Sequence, residues 1–329
     1  MRPFIPKTSD PDITAILNAF QSHDVFYILG HEEPDADCLG SQRVLGSWLS
    51  RRDKKVHLCS TGPWKRPEIA DWEKLFRSRV PVPETGENPL LVILDCSSPD
   101  RTGFPDSALP KTDSCVIDHH VAGSDFGDIR LVDSLSPSTT LLIQKLIEAA
   151  GDKPTKQEAE ILFLGFCTDT GYFRHVEPGR GEPLEAVARL VEAGASPADT
   201  FRLLSGGRSL GSRKLLGRVL ERAELYFGGR LVLSWETWRD WKELGSERDS
   251  DIMYQMLLSI SGVEAAAVIR EQNDGTCAIG LRSITSLDVS DIARFFGGGG
   301  HKKAAGCTTS GDLQDVTEHL LQIFADRLD

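Results

Sequence analysis

The run His31-Glu32-Glu33-Pro34-Asp35-Ala36-Asp37 places one imidazole and two alternating carboxylates directly after the apolar stretch Val25-Phe26-Tyr27-Ile28-Leu29. Nitrogen and oxygen donors so closely spaced are suited to holding a divalent cation. Pro34 and Gly40 argue against a continuous helix through this run, which predicts a turn at the carboxyl end of a buried strand. In an open α/β sheet that edge is where ligands bind. The same pairing of apolar run and polar end recurs. Leu90-Leu91-Val92-Ile93-Leu94 ends at Asp95, Cys115-Val116-Ile117 ends at Asp118-His119-His120, and a helix expected over 156–166 runs into Asp169. His31, Asp35, Asp37, Asp95, His119 and Asp169 together offer mixed donors that suit Mn²⁺, and less specifically Mg²⁺ or Co²⁺. Six such groups exceed what one ion with an open position needs. With Asp95 as a bridge they divide between two ions, the arrangement that clamps attacking and leaving oxygens in phosphoryl transfer, with a shared hydroxide as nucleophile.

Each residue also has a purely structural explanation. A strand-end Asp commonly stabilises a turn, and the glycine run Gly297-Gly298-Gly299-Gly300 reads on composition alone as a flexible segment. Three successive polar groups at a strand end, Asp118-His119-His120, are costly unless coordinated or hydrogen-bonded. His301-Lys302-Lys303 directly after the glycines supplies cations beside backbone N–H groups, a combination able to hold phosphate.

The elements that must position these groups follow from periodicity. An amphipathic helix over 13–20 leads into the strand 25–29; a helix opening at Gly40-Ser41 and a strand over 56–59 complete a βαβ unit. Residues 64–87, rich in Pro and charge, read as a helix with an irregular connection. Helices are expected over 138–147, 156–166 and 183–193, and the glycine-bearing passage that follows reads as a partly helical linker. Beyond it the chain changes character, with strand pairs around Gly228-Gly229 and Asn273-Asp274-Gly275, helices over 252–259 and 289–296, and a last helix over 313–328. The expectation is an α/β fold: a parallel-sheet domain with flanking helices over 1–194, a linker over 195–221, and a smaller α+β domain over 222–329.

Composition bounds the function. The 329 residues suffice for two cores, and a hydrophobic content of 40% is ordinary for a globular chain. The segment Met1–Lys7 lacks the apolar core of a secretory signal, and seven cysteines without a Cys-x-x-Cys pair fit reduced thiols, which together point to the cytoplasm. No apolar run approaches membrane-spanning length. The net charge of −12 disfavours a broad basic face for long or duplex nucleic acid, but not a small phosphorylated ligand.

His31-x-x-Pro34-Asp35-x-Asp37-x-x-Gly40-Ser41, Asp95, Asp118-His119-His120 and Thr168-Asp169-Thr170-Gly171 resemble the four motifs of the DHH phosphoesterase superfamily. Gly297 to His301 with Ala304-Ala305-Gly306 resembles the signature of its first type of associated domain. The order is right and nearly the whole chain is covered, with a length like that of the nanoRNase and pAp phosphatase branch. The resemblance implies a first ion on His31, Asp35 and Asp95, and a second on Asp37, Asp95, His119 and Asp169. It implies that His120 contacts the scissile phosphate, that Asp118 orients the neighbouring histidines, and that Arg282 and His301, with Gly299 and Gly300, hold the substrate's terminal phosphate.

The expected activity is hydrolysis of short oligoribonucleotides to 5′-mononucleotides, and of adenosine 3′,5′-bisphosphate, with the linker allowing a cleft to close. Cleavage of cyclic di-AMP or pApA uses the same groups. A RecJ-type exonuclease fits the acidic balance poorly, a second-family pyrophosphatase lacks the glycine-rich segment, and an inactive nucleotide-binding sensor would show degenerate motifs. A homodimer is compatible with all of these; preferred substrate and cleavage polarity are not fixed by the residues.

Overall fold

The computed structural model describes residues 10–120, 124–245 and 247–328; the reading of Met1–Lys7 lies outside them. The chain forms two compact units that divide between Gly206 and Gly207.

The first unit is built on five parallel strands: β1 (Val25–Leu29), β2 (Lys55–Cys59), β3 (Pro89–Leu94), β4 (Ser114–Asp118) and β5 (Ile129–Val132), in the order β2-β1-β3-β4-β5. The order reverses between β1 and β3, which opens a crevice beyond their carboxyl ends. Helices α1 (Pro11–Ser22), α2 (Ala36–Ser50), α3 (Thr139–Ala149) and α4 (Lys156–Asp169) surround a core containing Phe20, Phe26, Trp48, Phe163 and Phe166. Tyr27, Leu29, Leu91, Ile93 and Val116 fill the opposite face of the sheet. Apolar side chains on both faces explain why β1, β3 and β4 read as continuous apolar runs.

Two local expectations are corrected. The turn placed at Asp35–Asp37 is a helix start: Asp35 caps α2, its Oδ1 accepting from the N–H groups of Asp37 and Cys38 at 3.1 and 3.0 Å, so Asp37 lies in the first turn. Gly40 does not break that helix. A Cβ there would meet Ile161 at 3.2 Å, so the glycine serves close packing of α2 on α4. The expected helix within 64–87 is a 3₁₀ segment, Pro67–Leu75.

The expected linker is largely helical. After α5 (Glu182–Glu192), α6 (Pro197–Ser205) belongs to the first unit, where the Tyr172 hydroxyl donates to the Pro197 carbonyl at 2.7 Å. Helix α7 (Leu210–Glu221) belongs to the second, with Leu215 and Val219 buried. The connection between them shrinks to residues 206–209.

The second unit is α+β. Its mixed sheet has the order β10-β11-β9-β8-β7-β6, formed by β6 (Glu224–Tyr226), β7 (Leu231–Glu236), β8 (Ala265–Glu271), β9 (Thr276–Ser283), β10 (Gly299–His301) and β11 (Ala304–Ser310). Along β8, Ala265, Ala267 and Ile269 pack with α10 (Val289–Phe295) and α11 (Leu313–Leu328), while Ala266 and Val268 face α7 and α9 (Ser250–Leu258). A short helix α8 (Trp238–Leu244) follows β7. The glycine run is therefore not a flexible segment. A Cβ on Gly298 would approach the Gly306 carbonyl to 2.3 Å, and one on Gly300 the Ala304 carbonyl to 2.5 Å, so these glycines admit the backbone of β11.

Candidate active site

In the first unit, the carboxyl ends of β1, β3 and β4 and the facing ends of α2, α3 and α4 gather the polar residues. Asp95 follows β3 with a left-handed backbone, φ +62°. Such a conformation is costly for a side-chain-bearing residue and concentrates at functional positions. His31 Nε2 lies 3.3 Å from Asp95 Oδ2, and His119 Nε2 lies 3.5 Å from Asp95 Oδ1 and 3.1 Å from Asp169 Oδ2. Asp95 thus stands between the two imidazoles. His31 Nδ1 sits 2.7 Å from the Glu32 carbonyl and His119 Nδ1 3.3 Å from that of Ser136, which leaves Nε2 of each ring turned to the carboxylates. The buried His119 Nε2 has no aligned hydrogen bond.

Three sets of donor atoms lie within 4.8 Å of one another: His31, Cys38 and Asp95; Asp95, His119 and His120; and Asp37, His119 and Asp169. Five of the six expected metal ligands fall in these sets. Asp35 is not in a set, although its Oδ1, which caps α2, lies 4.0 Å from His31 Nε2. Asp37 is fully buried, and both its oxygens meet the start of α3: Oδ2 accepts from the Thr139 N–H at 2.7 Å, and Oδ1 from the N–H and hydroxyl of Thr140 at 2.8 and 2.5 Å. The Thr139 hydroxyl donates to Asp95 Oδ1 at 2.8 Å. Thr139 and Thr140 escaped sequence reasoning, although Ser138-Thr139-Thr140 after Pro137 has the composition of a helix start.

Electrostatics supplies the test of whether these residues fit a cation. Burial, reinforced by Asp95 and Asp169, drives the Asp37 carboxyl well above its usual range. Burial and the Asp95 charge also raise Asp169. Burial opposes charge on His119, yet the carboxylates of Asp169 and Asp95 outweigh it and push the imidazole up to about 9. Against the same burial, Cys38 and Asp95 raise His31. The cluster draws in protons because its negative charge lacks a counter-charge. A divalent ion would supply one, and the donor set fits Mn²⁺-type or related ions.

Asp118, also fully buried, accepts from the Ser97 hydroxyl at 2.6 Å and from the His120 N–H at 3.1 Å, and lies 2.8 Å from His120 Nδ1. Burial works against its charge, but these bonds win and hold its carboxyl below the usual value. Asp118 therefore orients His120 alone. The expectation that it orients both histidines is corrected by the Ser136 contact of His119.

The second unit has its own cavity of about 580 Å³, with Arg282, Gly299 and Gly300 in its wall. His301 is exposed at the end of β10 and does not line it. The Arg282 guanidinium lies 4.6 Å over the ring of Tyr254 and its Nη1 donates to the Leu281 carbonyl at 3.0 Å, contacts that hold it in place while its remaining N–H groups can meet an anion. Glu236, Arg248 and Arg270 complete the polar wall, Glu236 being paired to Arg248. None of these three was singled out from sequence, because β7, β8 and the segment before α9 converge only in the folded sheet.

Comparison with known proteins agrees with this layout. Residues 25–166 match the model of the DHH family N-terminal domain, and residues 239–328 match the DHHA1 domain. The chain is 29% identical to a bifunctional oligoribonuclease and PAP phosphatase NrnA of Thermus thermophilus over 92% of this chain and 90% of that one. It is 24% identical to a cyclic-di-AMP phosphodiesterase PdeA of Listeria monocytogenes, over 92% of this chain but only 47% of the relative. An exopolyphosphatase-related protein from Bacteroides fragilis superposes with a TM-score of 0.74 at 25% identity, covering 96% of this chain and 97% of that one. The chain thus carries a DHH and a DHHA1 domain in that order, and the relative matched over nearly the full length of both chains supports the NrnA-like branch of the DHH phosphoesterases.

Proposed function

We propose that this protein hydrolyses the phosphoester of very short oligoribonucleotides, releasing 5′-mononucleotides, and acts also on adenosine 3′,5′-bisphosphate. The carrying observation is the buried, charge-unbalanced cluster around Asp95, with match to an NrnA over nearly the full length of both chains. Two divalent ions, Mn²⁺ foremost with Mg²⁺ or Co²⁺ as alternatives, would be held by His31, Asp35, Asp37, Asp95, His119 and Asp169. Bound there, they supply charge to the phosphate oxygens and activate water near neutral pH.

The chain's own groups do the rest. Thr139 and Thr140 fix the oxygens of Asp95 and Asp37 from the start of α3. Asp118 anchors His120 at Nδ1, so Nε2 can donate to a phosphate oxygen as negative charge develops. In the second unit Arg282 and the backbone at Gly299 and Gly300 hold the far phosphate, and Arg282 is suited to bidentate contact. A few cations in one cavity, with a net charge of −12, favour substrates of a few nucleotides over long strands. Among the described residues no helix is long and apolar enough to cross a membrane, and all seven cysteines are free and buried, which supports action in a reducing cytoplasm.

Purified protein with Mn²⁺ tests the reading when offered pApA, a longer RNA, adenosine 3′,5′-bisphosphate, cyclic di-AMP and pyrophosphate. Rapid turnover of pApA and the bisphosphate is expected. Faster turnover of the long RNA, cyclic di-AMP or pyrophosphate would refute it.

A further inference from the structure

The cavity of the second unit carries more polar groups than one phosphate needs. Glu236 pairs with Arg270 across β7 and β8, and Arg270 with Ala278 across β8 and β9. Side chains alternate between the faces of a sheet, so this register sets Glu236, Arg270 and Arg282 on the same side, and all three line the cavity. Arg282 lies four residues beyond Ala278 along β9, roughly 13 Å away. Two guanidiniums reaching inward shorten that interval to the span of one nucleotide, from its 5′-phosphate to the far edge of its base. Glycine keeps the floor between them low. A Cβ on Gly280 would strike the Tyr254 hydroxyl at 2.1 Å, and Gly306 leaves open space above β11, where a Cβ would meet only the Ile279 carbonyl, at 3.3 Å.

The end away from Arg282 has hydrogen-bonding capacity to spare. Glu236 is buried, and among the described residues only Arg248 donates to it, at Oε2. Burial raises its carboxyl even against the Arg248 charge, so further donors to Oε1 would be favourable. Arg248 Nε is buried without a hydrogen-bond partner, and Arg270 forms no ion pair among the described residues. An open acceptor beside open donors is the pattern that reads the edge of a base. A second phosphate there would be repelled by Glu236.

We propose that Glu236, Arg248 and Arg270 form a base-reading subsite that selects guanine in the nucleotide whose terminal phosphate Arg282 holds. This deepens the reading of the protein as a hydrolase of short oligoribonucleotides and rests on it. Guanine presents N1–H and its N2 amino group side by side, two donors that one carboxylate accepts, and O6 with N7 as two acceptors for a guanidinium. Adenine has a single amino donor flanked by acceptors at N1 and N7. It leaves a carboxylate oxygen or a guanidinium unfilled in a buried wall, which is costly. Cytosine and uracil, with one ring, do not span both groups.

Calorimetric titration of the metal-free full chain with GMP and with AMP reads the subsite without hydrolysis. GMP is expected to bind about 10- to 100-fold more tightly, the worth of one matched base contact. With Mn²⁺ present the preference should follow the first base, so that pGpA exceeds pApG in kcat/KM by about the same factor. Glu236→Gln should bring both ratios near unity. If that variant does not fold because Arg248 loses its partner, Arg270→Ala, which breaks no ion pair, should lower the ratio of GMP to AMP affinity by about threefold or more. Equal binding of GMP and AMP, binding of neither, or a preference that survives both substitutions would overturn the proposal. Rapid hydrolysis of pGpA and pApG at equal kcat/KM would also overturn it while leaving the oligoribonuclease reading intact. A GMP preference in a protein that hydrolyses no dinucleotide would keep the guanine subsite and overturn that reading alone.

Discussion

Asp37 in the first unit and Asp240 in the second are both closed to solvent and both accept backbone N–H groups, yet their pKa values move in opposite directions. Their side chains are 0% and 2% exposed, and each accepts a backbone N–H at a helix start: Asp37 from Thr139 and Thr140, Asp240 from Thr237 at 2.8 Å. Burial raises both. Around Asp240 it is overcome by Arg222 at 2.5 Å and Arg218 at 2.7 Å, and the carboxyl ends far below its usual range. Around Asp37 the charges that weigh most after burial are the carboxylates of Asp95 and Asp169, and the shift is upward. Asp37 lies far deeper than Asp240, so desolvation weighs more heavily on it, and its neighbouring carboxylates add to that where the arginines beside Asp240 oppose it. A buried acid with its own arginines is finished structure, whereas one surrounded by other acids calls for a cation from outside.

That contrast can be broken most severely at Asp95. Asp95→Ala removes the carboxylate between the two imidazoles, and isothermal titration should show loss of tight binding of both Mn²⁺ ions, with turnover of pApA down by about 10³-fold or more. Next in size, Arg282→Ala should raise KM for pApA by about 10- to 100-fold, the worth of a charged hydrogen-bonded contact. Its kcat and metal content should stay near wild type. A fall in ion binding in that variant would mean that the two regions are not chemically separate.

Smaller effects should carry opposite signs in the two regions. Asp240→Asn strips the counter-charge from two arginines and should cost about 2 to 3 kcal/mol in denaturant unfolding at neutral pH. Because the folded-state pKa of Asp240 is depressed, its stabilisation is complete above the unfolded carboxylate pKa of about 4 and is lost as pH falls further. The gap between wild type and variant should therefore hold from neutrality to about pH 4 and close below it. Asp169→Asn removes one charge from the crowded cluster and should stabilise the metal-free protein by about 1 kcal/mol, while Mn²⁺ raises its melting temperature less than it raises that of wild type. A metal-free Asp169→Asn protein less stable than wild type would show that the cluster is already balanced.

The portion of the site legible in the sequence was the portion written at strand ends. Asp95 and Asp118 stand out because a sheet covered on both faces makes continuous apolar strands, and a charge at the end of such a run is conspicuous. The helix start at Asp35 was hidden because Pro34 and Gly40 are ambiguous signals: one precedes a cap, and the other answers to Ile161 across the α2–α4 contact. Strand β5 has four residues and only Leu131 buried, and β11, Ala304–Ser310, is made mainly of small residues, so neither carries a strong alternation. Helices α6 and α7 were legible only as a partly helical linker, because the glycines between them blur their bounds. Arg248, Arg270 and Glu236 could not be grouped from sequence, since only strand pairing brings them to one cavity.

The left-handed backbone at Asp95 also bears on how this protein would respond to selection. Glycine adopts that conformation without penalty, so Asp95→Gly would relieve strain and remove a buried charge from a repulsive cluster in one change. In a population screened only for survival of heat without metal, replacements at this position should be enriched, and every enriched clone should be dead as a hydrolase. Durability and chemistry compete at a single residue.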